Sequence, residues 1–353
     1  METIPKTGGE GPSGPASRQR RALKISDEAL VKRSLPAPGK AIPLMLEPTL
    51  PSVDLVDWAA GHAELLASLL LEHRALLFRG FAIAGAGGLR RFTEVTSGGE
   101  PLDYRDRSSP RHAVADRVFT STDYPAGESI AMHHEGTYWL TCPLKIYFFC
   151  NTAPPQGGET PIADGRRVLS RLDPALRQRF ATGRLLYSRN YNAGFGLPWQ
   201  AVFQTDDPAE VERFCRDHAI ACEWRQGGRL HTRQLRPAFV RHPRTGEELW
   251  FNHAAFFHVS ALDPQLRSGL LADFAAADLP YNTYYADGGE IAASDLDAVR
   301  DAYRQEKVLF PWQQGDLLML DNLTIAHGRE PFAGPREILV AMGEPFLRDD
   351  VAR

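Results

Sequence analysis

Apolar residues recur at helical spacing from Val56 to about His73, where Leu65, Leu66, Leu69 and Leu70 share one face, and the pattern predicts a helix there. The next apolar run, Ala75–Phe78, is short and unbroken and is closed by Gly80, as expected of a buried strand. A second helix is expected near Leu89 to Val95. Beyond Arg117 the pattern changes. Short strand-like runs dominate, at residues 118–121, 144–150, 185–189, 238–241, 249–251, 317–320 and 338–342, punctuated by Gly, Pro, Asn and Asp. Helices do not alternate with these strands, which argues against a doubly wound parallel sheet and for a sandwich, barrel or jelly roll. Helices interrupt the β region. Asp173 followed by Pro174 reads as a cap and first helical residue, with Gly183 after the last turn, and Asp207–Pro208 opens another helix in the same way. Ser294 with Asp297 reads as a capping box before the run to Tyr303. The expected organisation is a flexible tail over residues 1–40, rich in Gly, Pro, Ser and Arg, then one domain over 41–353 with helical insertions at about 173–305.

Composition narrows the class. With 353 residues and 43% hydrophobic content, the chain can bury a large core without staples. The net charge is −4 and no long basic run occurs in the body, so nucleic acid is excluded as the main partner. No apolar stretch is long enough to cross a membrane. The basic cluster Arg18, Arg20, Arg21 and Lys24 is followed by no apolar segment, unlike a signal peptide. Cys142, Cys150, Cys215 and Cys222 form no C-x-x-C pair and read as reduced thiols of a cytoplasmic protein. Gly-x-Ser-x-Gly, a Walker-type loop and G-x-G-x-x-G after a strand are all missing, which disfavours serine hydrolases, P-loop NTPases and nicotinamide enzymes.

Three short motifs carry candidate chemistry. The first is Met132-His133-His134-Glu135-Gly136-Thr137. On an extended backbone His133 and Glu135 point to one face and His134 to the other, so one imidazole and one carboxylate can meet a divalent ion. A distant second His would complete the two-His-one-carboxylate triad of non-haem Fe(II) oxygenases. The alternative of His134 as ligand pairs it with Gly136 rather than with a carboxylate. The second motif runs from Gly315 through Asp321 and Asn322 to Ala326-His327-Gly328-Arg329, with Arg336 following at the start of an apolar strand. The planar fork of an Arg there suits a carboxylate. The third is Gly157-Gly158-Glu159-Thr160-Pro161, a turn whose Thr hydroxyl can reach the same carboxylate. His253 and His258, near Asn252, could line the substrate side or be structural. Arg329 is a candidate substrate or cosubstrate contact or a salt-bridge partner, and Tyr187, Arg189 and Tyr191 form an alternating strand that could face the pocket.

In order, type and spacing these motifs resemble the taurine dioxygenase / clavaminate synthase superfamily, whose pattern is H-x-(D/E), a G-G-(D/E)-T turn, a distal His and then an Arg. The likeness runs from about Ala75 to Phe346 and is nearest to the subgroup named for the syringomycin biosynthetic aspartyl hydroxylase. It implies a mainly β fold with α insertions, the double-stranded β-helix or jelly roll. It implies His133, Glu135 and His327 as ligands of Fe(II), and Thr160 and Arg336 on the far carboxylate of 2-oxoglutarate, with O₂ as the second cosubstrate. His134, Asn252 and Arg329 are expected on the substrate side. A carboxylate at Glu135 argues for hydroxylation over halogenation, with desaturation or epoxidation as other outcomes. The implied substrate is an amino acid, free or tethered to a carrier protein, in natural-product biosynthesis. Two departures stand out: His134 replaces a smaller polar residue, and Val340 stands where taurine dioxygenase itself has a second Arg. A cupin-type metalloenzyme needs no carboxylate clamp, and an inert jelly-roll scaffold needs no ligand set, so the motifs disfavour both.

Overall fold

The structure, a computed structural model, describes residues 30–35, 41–104, 106, 108, 111–191 and 196–348. It is mainly β with helices, a jelly roll built on an eight-stranded sheet. The strand order is Val31–Ser34, Leu44–Pro48, Ala75–Phe78, Leu317–Asp321, Thr141–Thr152, Glu337–Leu347, Val118–Thr120 and Ala113–Ala115. The central strand Thr141–Thr152 is flanked antiparallel by Leu317–Asp321 and Glu337–Leu347, so both of its backbone edges are satisfied.

Both faces of this sheet are covered, which explains its unbroken apolar runs. Side-chain alternation divides each run between two cores. Ile146, Phe148, Cys150, Leu318, Leu320, Ile338 and Val340 join the core on the jelly-roll side. Tyr147, Phe149, Leu317, Met319, Leu339 and Ala341 pack with residues of the helices near the N-terminus. Opposite the first face lies a three-stranded sheet, in the order Ile130–His133, Ile325–Arg329, Ile162–Asp164. It carries His133 of the first motif and His327 of the second.

The structure departs from expectation at several points. The single helix expected over 56–73 is two, Leu55–Gly61 and Ala63–His73. Asp54 caps the first through its carboxylate. Gly61 weakens the helix at its end, and His62 closes it, its Nδ1 2.7 Å from the Trp58 carbonyl and its ring stacked on the indole. The second expected helix is longer, Gly85–Ser97. Caps at Asp173 and Asp207 form as expected. The Ser294 capping box does not: Ser294 lies inside the helix Ala293–Glu306, and Asp297 pairs with Arg300 at 3.2 Å instead. The insertion is not only helical. It holds a four-stranded antiparallel sheet of Ala221–Arg225, Arg229–Pro237, Arg184–Tyr191 and Tyr281–Tyr285. Val31–Ser34, inside the stretch expected to be a tail, is an edge strand paired with Leu44–Pro48, and residues 1–29 and 36–40 lie outside those described. Among the described residues no helix is long and apolar enough to cross a membrane.

Candidate metal centre

His133 and His327 face each other as register partners on neighbouring antiparallel strands, with ring centroids 4.5 Å apart. The register shifts just beyond this pair, between His327 and Arg329, so a bulge re-aims the strand beside the site. Glu135 arrives differently from the extended reading. The strand ends at His133, and Glu135 sits in a turn. Asn322 holds that turn. Its side-chain oxygen accepts from Glu135 N–H at 2.8 Å, and its amide donates to the Glu135 and Pro143 carbonyls at 2.9 Å each. Gly136 completes the turn at φ 68°, with Trp139 stacked where a Cβ would lie. The donor atoms of His133, Glu135 and His327 lie within 4.8 Å of one another, the single such group of three among the described residues.

Tautomers follow from the hydrogen bonds. His133 Nδ1 is 2.8 Å from the Ala131 carbonyl, which can only accept, so Nδ1 carries the proton and Nε2 keeps its lone pair. His327 is buried, and its Nδ1 has no hydrogen-bond partner among the described residues. Burial pushes the pKa of both imidazoles below the ordinary value, His327 furthest, and the neighbouring His133 and Arg111 add to the effect on His327. Both rings are therefore neutral near pH 7, the state a metal requires.

Thr160 and Arg336 line the same cavity as His133 and His327. Arg336 Nε donates to the Gly158 carbonyl at 2.9 Å and Nη1 to Ser121 Oγ at 3.1 Å. Burial, reinforced by Arg329, pulls its pKa down to about 10, so it stays charged at neutral pH. Thr160 Oγ1 accepts from the Trp312 indole at 3.1 Å, which leaves its hydroxyl proton to give. The two glycines of the turn are required by space. Gly157 has φ 67° and a Cβ there would lie 2.2 Å from the Pro331 carbonyl, while at Gly158, φ 72°, it would lie 3.0 Å from the Arg336 side chain.

Of the three residues expected on the substrate side, Arg329 lines the cavity, and His134 and Asn252 do not. His134 is buried and turned from the cluster, its Nδ1 donating to the Asn322 carbonyl at 2.8 Å and its ring against Phe251. Asn252 donates to the Ala238 carbonyl and accepts from Ala254 N–H, both at 3.0 Å. Arg329 does line the cavity, but its guanidinium donates to the carbonyls of Tyr124, Pro125 and Glu128 and so pins the exposed loop beside the site. His258 caps its own short turn through Ser260. His253 lies closer, its ring 5.7 Å from His133, with Thr137 on its Nδ1 and the Tyr187 hydroxyl on its backbone N–H. Arg189 pairs with Asp106, away from the cavity lining.

Sequence reasoning missed two residues. Asn322 stood within the second motif but carried no separate signal. Arg111 lies outside every motif, yet it is buried in the cavity lining and donates to Glu135 Oε2 at 2.7 Å. Burial alone would lower its pKa, but the charge and hydrogen bond of Glu135 outweigh this, so it is a permanent cation, with its guanidinium 4.5 Å over the Tyr104 ring.

Comparison with known proteins agrees with this geometry. Residues 38–342 match the family described as "Taurine catabolism dioxygenase TauD, TfdA family". The chain is 40% identical over 305 residues to dapdiamide synthesis protein DdaC of Enterobacter agglomerans, covering 84% of this chain and 92% of that protein. It is 30% identical over 322 residues to a clavaminate synthase-like protein of Arabidopsis thaliana, covering 88% and 90%. Among solved structures it resembles PvcB of Pseudomonas aeruginosa, described as an Fe, alpha-ketoglutarate dependent oxygenase from an isonitrile synthetic pathway. That likeness has a TM-score of 0.54 at 22% identity, covers 92% of this chain and 96% of the other, and is one of fold.

Proposed function

The chain belongs to the TauD/TfdA dioxygenase family, and from that premise we propose that it is an Fe(II)- and 2-oxoglutarate-dependent oxygenase of natural-product biosynthesis whose iron ligands are His133, Glu135 and His327. Its substrate is a small molecule: an amino acid, free or as an aminoacyl group on a carrier protein. The observation that carries the reading is the convergence of two neutral imidazoles and one carboxylate within 4.8 Å, in a cavity that also holds Arg336 and Thr160. Two nitrogens and one oxygen suit Fe(II) and leave coordination positions open. The partnerless Nδ1 of the buried His327 is a polar atom that a metal-bound ring can tolerate in exchange for the bond it makes.

Bound there, Fe(II) with 2-oxoglutarate and O₂ supplies the oxidising power to hydroxylate an unactivated C–H bond, with succinate and CO₂ as coproducts. The chain supplies the rest. Arg336 offers its fork, and Thr160 its hydroxyl, to the far carboxylate of 2-oxoglutarate, which fixes the end of the cosubstrate remote from the metal. The Ala131 carbonyl fixes the ring of His133, and Asn322 fixes the backbone of Glu135. Phe148 and Phe256 pack against the ligand rings at 4.9 and 4.7 Å and keep water from that side.

The test is the weak visible charge-transfer band of a chelated Fe(II)–2-oxoglutarate complex, formed from purified protein without oxygen. The band is expected in the wild type and absent in His133→Ala and His327→Ala. A wild type that binds metal but gives no band overturns the cosubstrate assignment. With candidate amino acids and carrier-tethered aminoacyl groups, succinate release identifies the substrate. Product mass then separates gain of an oxygen atom from loss of two hydrogens.

A further inference from the structure

Arg111 reaches Glu135 from a stretch in which none of the described residues from Asp103 to His112 belongs to a helix or strand. At either end the chain is tied to the main sheet, through Leu102 N–H on the Met342 carbonyl and through the strand Ala113–Ala115. Other anchors lie between. The Tyr138 hydroxyl and the Trp139 indole, just beyond the first motif, donate to the Asp106 carbonyl at 2.9 and 3.2 Å. The insertion supplies three more. Gln204 donates to the Tyr104 carbonyl and the Tyr281 hydroxyl to the Ser108 carbonyl, both at 2.7 Å. Arg189 pairs with the Asp106 carboxylate. The two residues are only 1% and 3% exposed, and the rings of Tyr191, Tyr138 and Tyr281 lie 5.1, 5.3 and 5.4 Å from the guanidinium.

A stretch without a regular backbone ladder takes its position from such anchors. A buried ion pair is a strong one, because separating it leaves a charge in the interior without its partner. The anchored backbone also supports Arg111 from below: the Tyr104 carbonyl is held by Gln204, and the Tyr104 ring lies 4.5 Å beneath the Arg111 guanidinium. Arg111 in turn holds Oε2 of Glu135 and so fixes the orientation of that carboxylate. We propose that Arg189, Gln204 and Tyr281 are positioning residues for the metal centre: the insertion holds the stretch that sets Arg111 against Glu135. This rests on the metal reading above. The insertion thereby tunes the centre at a distance, through one arginine and one carboxylate.

The test is a double-mutant cycle read by Fe(II) affinity of the full-length protein, measured without oxygen by competition with a chelator. Arg111→Gln is expected to weaken Fe(II) by about tenfold, as loss of a partner behind a ligand does. Tyr281→Phe keeps the ring and loses one donor, and is expected to weaken Fe(II) by about threefold. The double variant is expected to match Arg111→Gln alone, because Tyr281 acts through Arg111. Tyr284→Phe is the control for loosening of the same strand: its hydroxyl accepts from Asn282 instead, and it is expected to bind Fe(II) like the wild type. Arg189→Leu strands a buried carboxylate and can unfold the chain, so Tyr281→Phe carries the test, with Arg189→Lys expected to retain part of the affinity. Wild-type affinity in Tyr281→Phe or in Arg111→Gln overturns the assignment. So do effects that multiply in the double variant, or a Tyr284→Phe as weak as Tyr281→Phe. A wild type that binds no Fe(II) overturns the metal reading and this assignment together.

Discussion

Gly158 and Arg336 make one device. The glycine lends its carbonyl to the guanidinium at 2.9 Å and at the same time leaves the space the arginine stem occupies. A methyl group there meets both a left-handed backbone, φ 72°, and the Arg336 Cδ at 3.0 Å. Gly158→Ala is therefore expected to cost roughly 1–2 kcal/mol of stability from the backbone alone. It should also raise the 2-oxoglutarate concentration needed for half-saturation by about tenfold, the scale of a weakened charge-assisted bond. Iron affinity should be unchanged, because Gly158 touches none of the three proposed metal ligands, and isothermal titration of metal and of cosubstrate separates the two. At this scale the chain was unevenly legible. The ligand-type residues His133, Glu135 and His327 stood in recognisable motifs, and the structure brings them together. Arg111 did not, because a lone arginine in an irregular stretch has no periodic or motif signal, and only tertiary folding sets it beside Glu135. His134 and Asn252 were expected on the substrate side because they lie next to site residues. The Asn322 carbonyl draws His134 elsewhere, and the Ala238 carbonyl draws Asn252.

At the scale of elements, the turn 134–137 depends on one side chain from the far end of the domain. Asn322 satisfies the Glu135 N–H and two carbonyls with its two polar atoms, and it is fully buried. Removing it leaves three backbone groups without partners. Asn322→Ala is expected to destabilise by about 3 kcal/mol, read from the urea midpoint, and to weaken metal binding because Glu135 is freed. Asn322 is itself placed by its neighbour. Asp321 caps Leu323 and Thr324 N–H with one oxygen and meets Arg74 at 3.0 Å and His242 at 3.2 Å with the other. Burial pushes that carboxyl up, but His242 and Arg74 prevail and hold it below the usual range. The strands were legible because apolar runs bounded by turn residues have few other readings. The helices opened by Asp-Pro were legible because cap and first residue are local chemistry, and Asp263–Pro264 opens Pro264–Asp273 by the same signal. The four-stranded sheet of the insertion was less so: residues 185–189 stood out as a strand-like run, but Arg229–Pro237 buries polar residues such as Thr232, Gln234 and Arg236 and carries no apolar pattern to read.

For the whole molecule, several imidazoles are folded into the interior as neutral groups, and this sets a pH window. Burial pushes His134 and His258 down to about 4 from an ordinary 6.5. Below about 6.5 the unfolded chain takes up these protons, while the folded chain refuses them until about 4. Their folded values are depressed, so the stability they protect is complete above 6.5 and is lost as pH falls through that interval. Urea midpoints are expected to be level above about pH 7 and to fall steadily from about 6.5 to 4. His258→Gln, at a residue outside the lining of the metal-site cavity, should show a shallower fall, and an unchanged slope would refute the role given to this residue.

The pairing of His133 with His327 across two strands makes the centre a gauge of register. Every neighbouring position in the second strand is wrong for a metal: a slip of one residue would set Ala326 or Gly328 opposite His133. Gly328 guards against this, since it admits the Ile130 carbonyl where a Cβ would lie only 2.6 Å away. The chain between these two proposed ligands contains the whole insertion, yet among the described residues the insertion adds nothing to the group of three. Sequence drift there can reshape what enters the cavity while the pairing of two short strands keeps the chemistry constant. Metal affinity would then report whether those strands have zipped correctly, whatever substrate the surrounding loops have come to select.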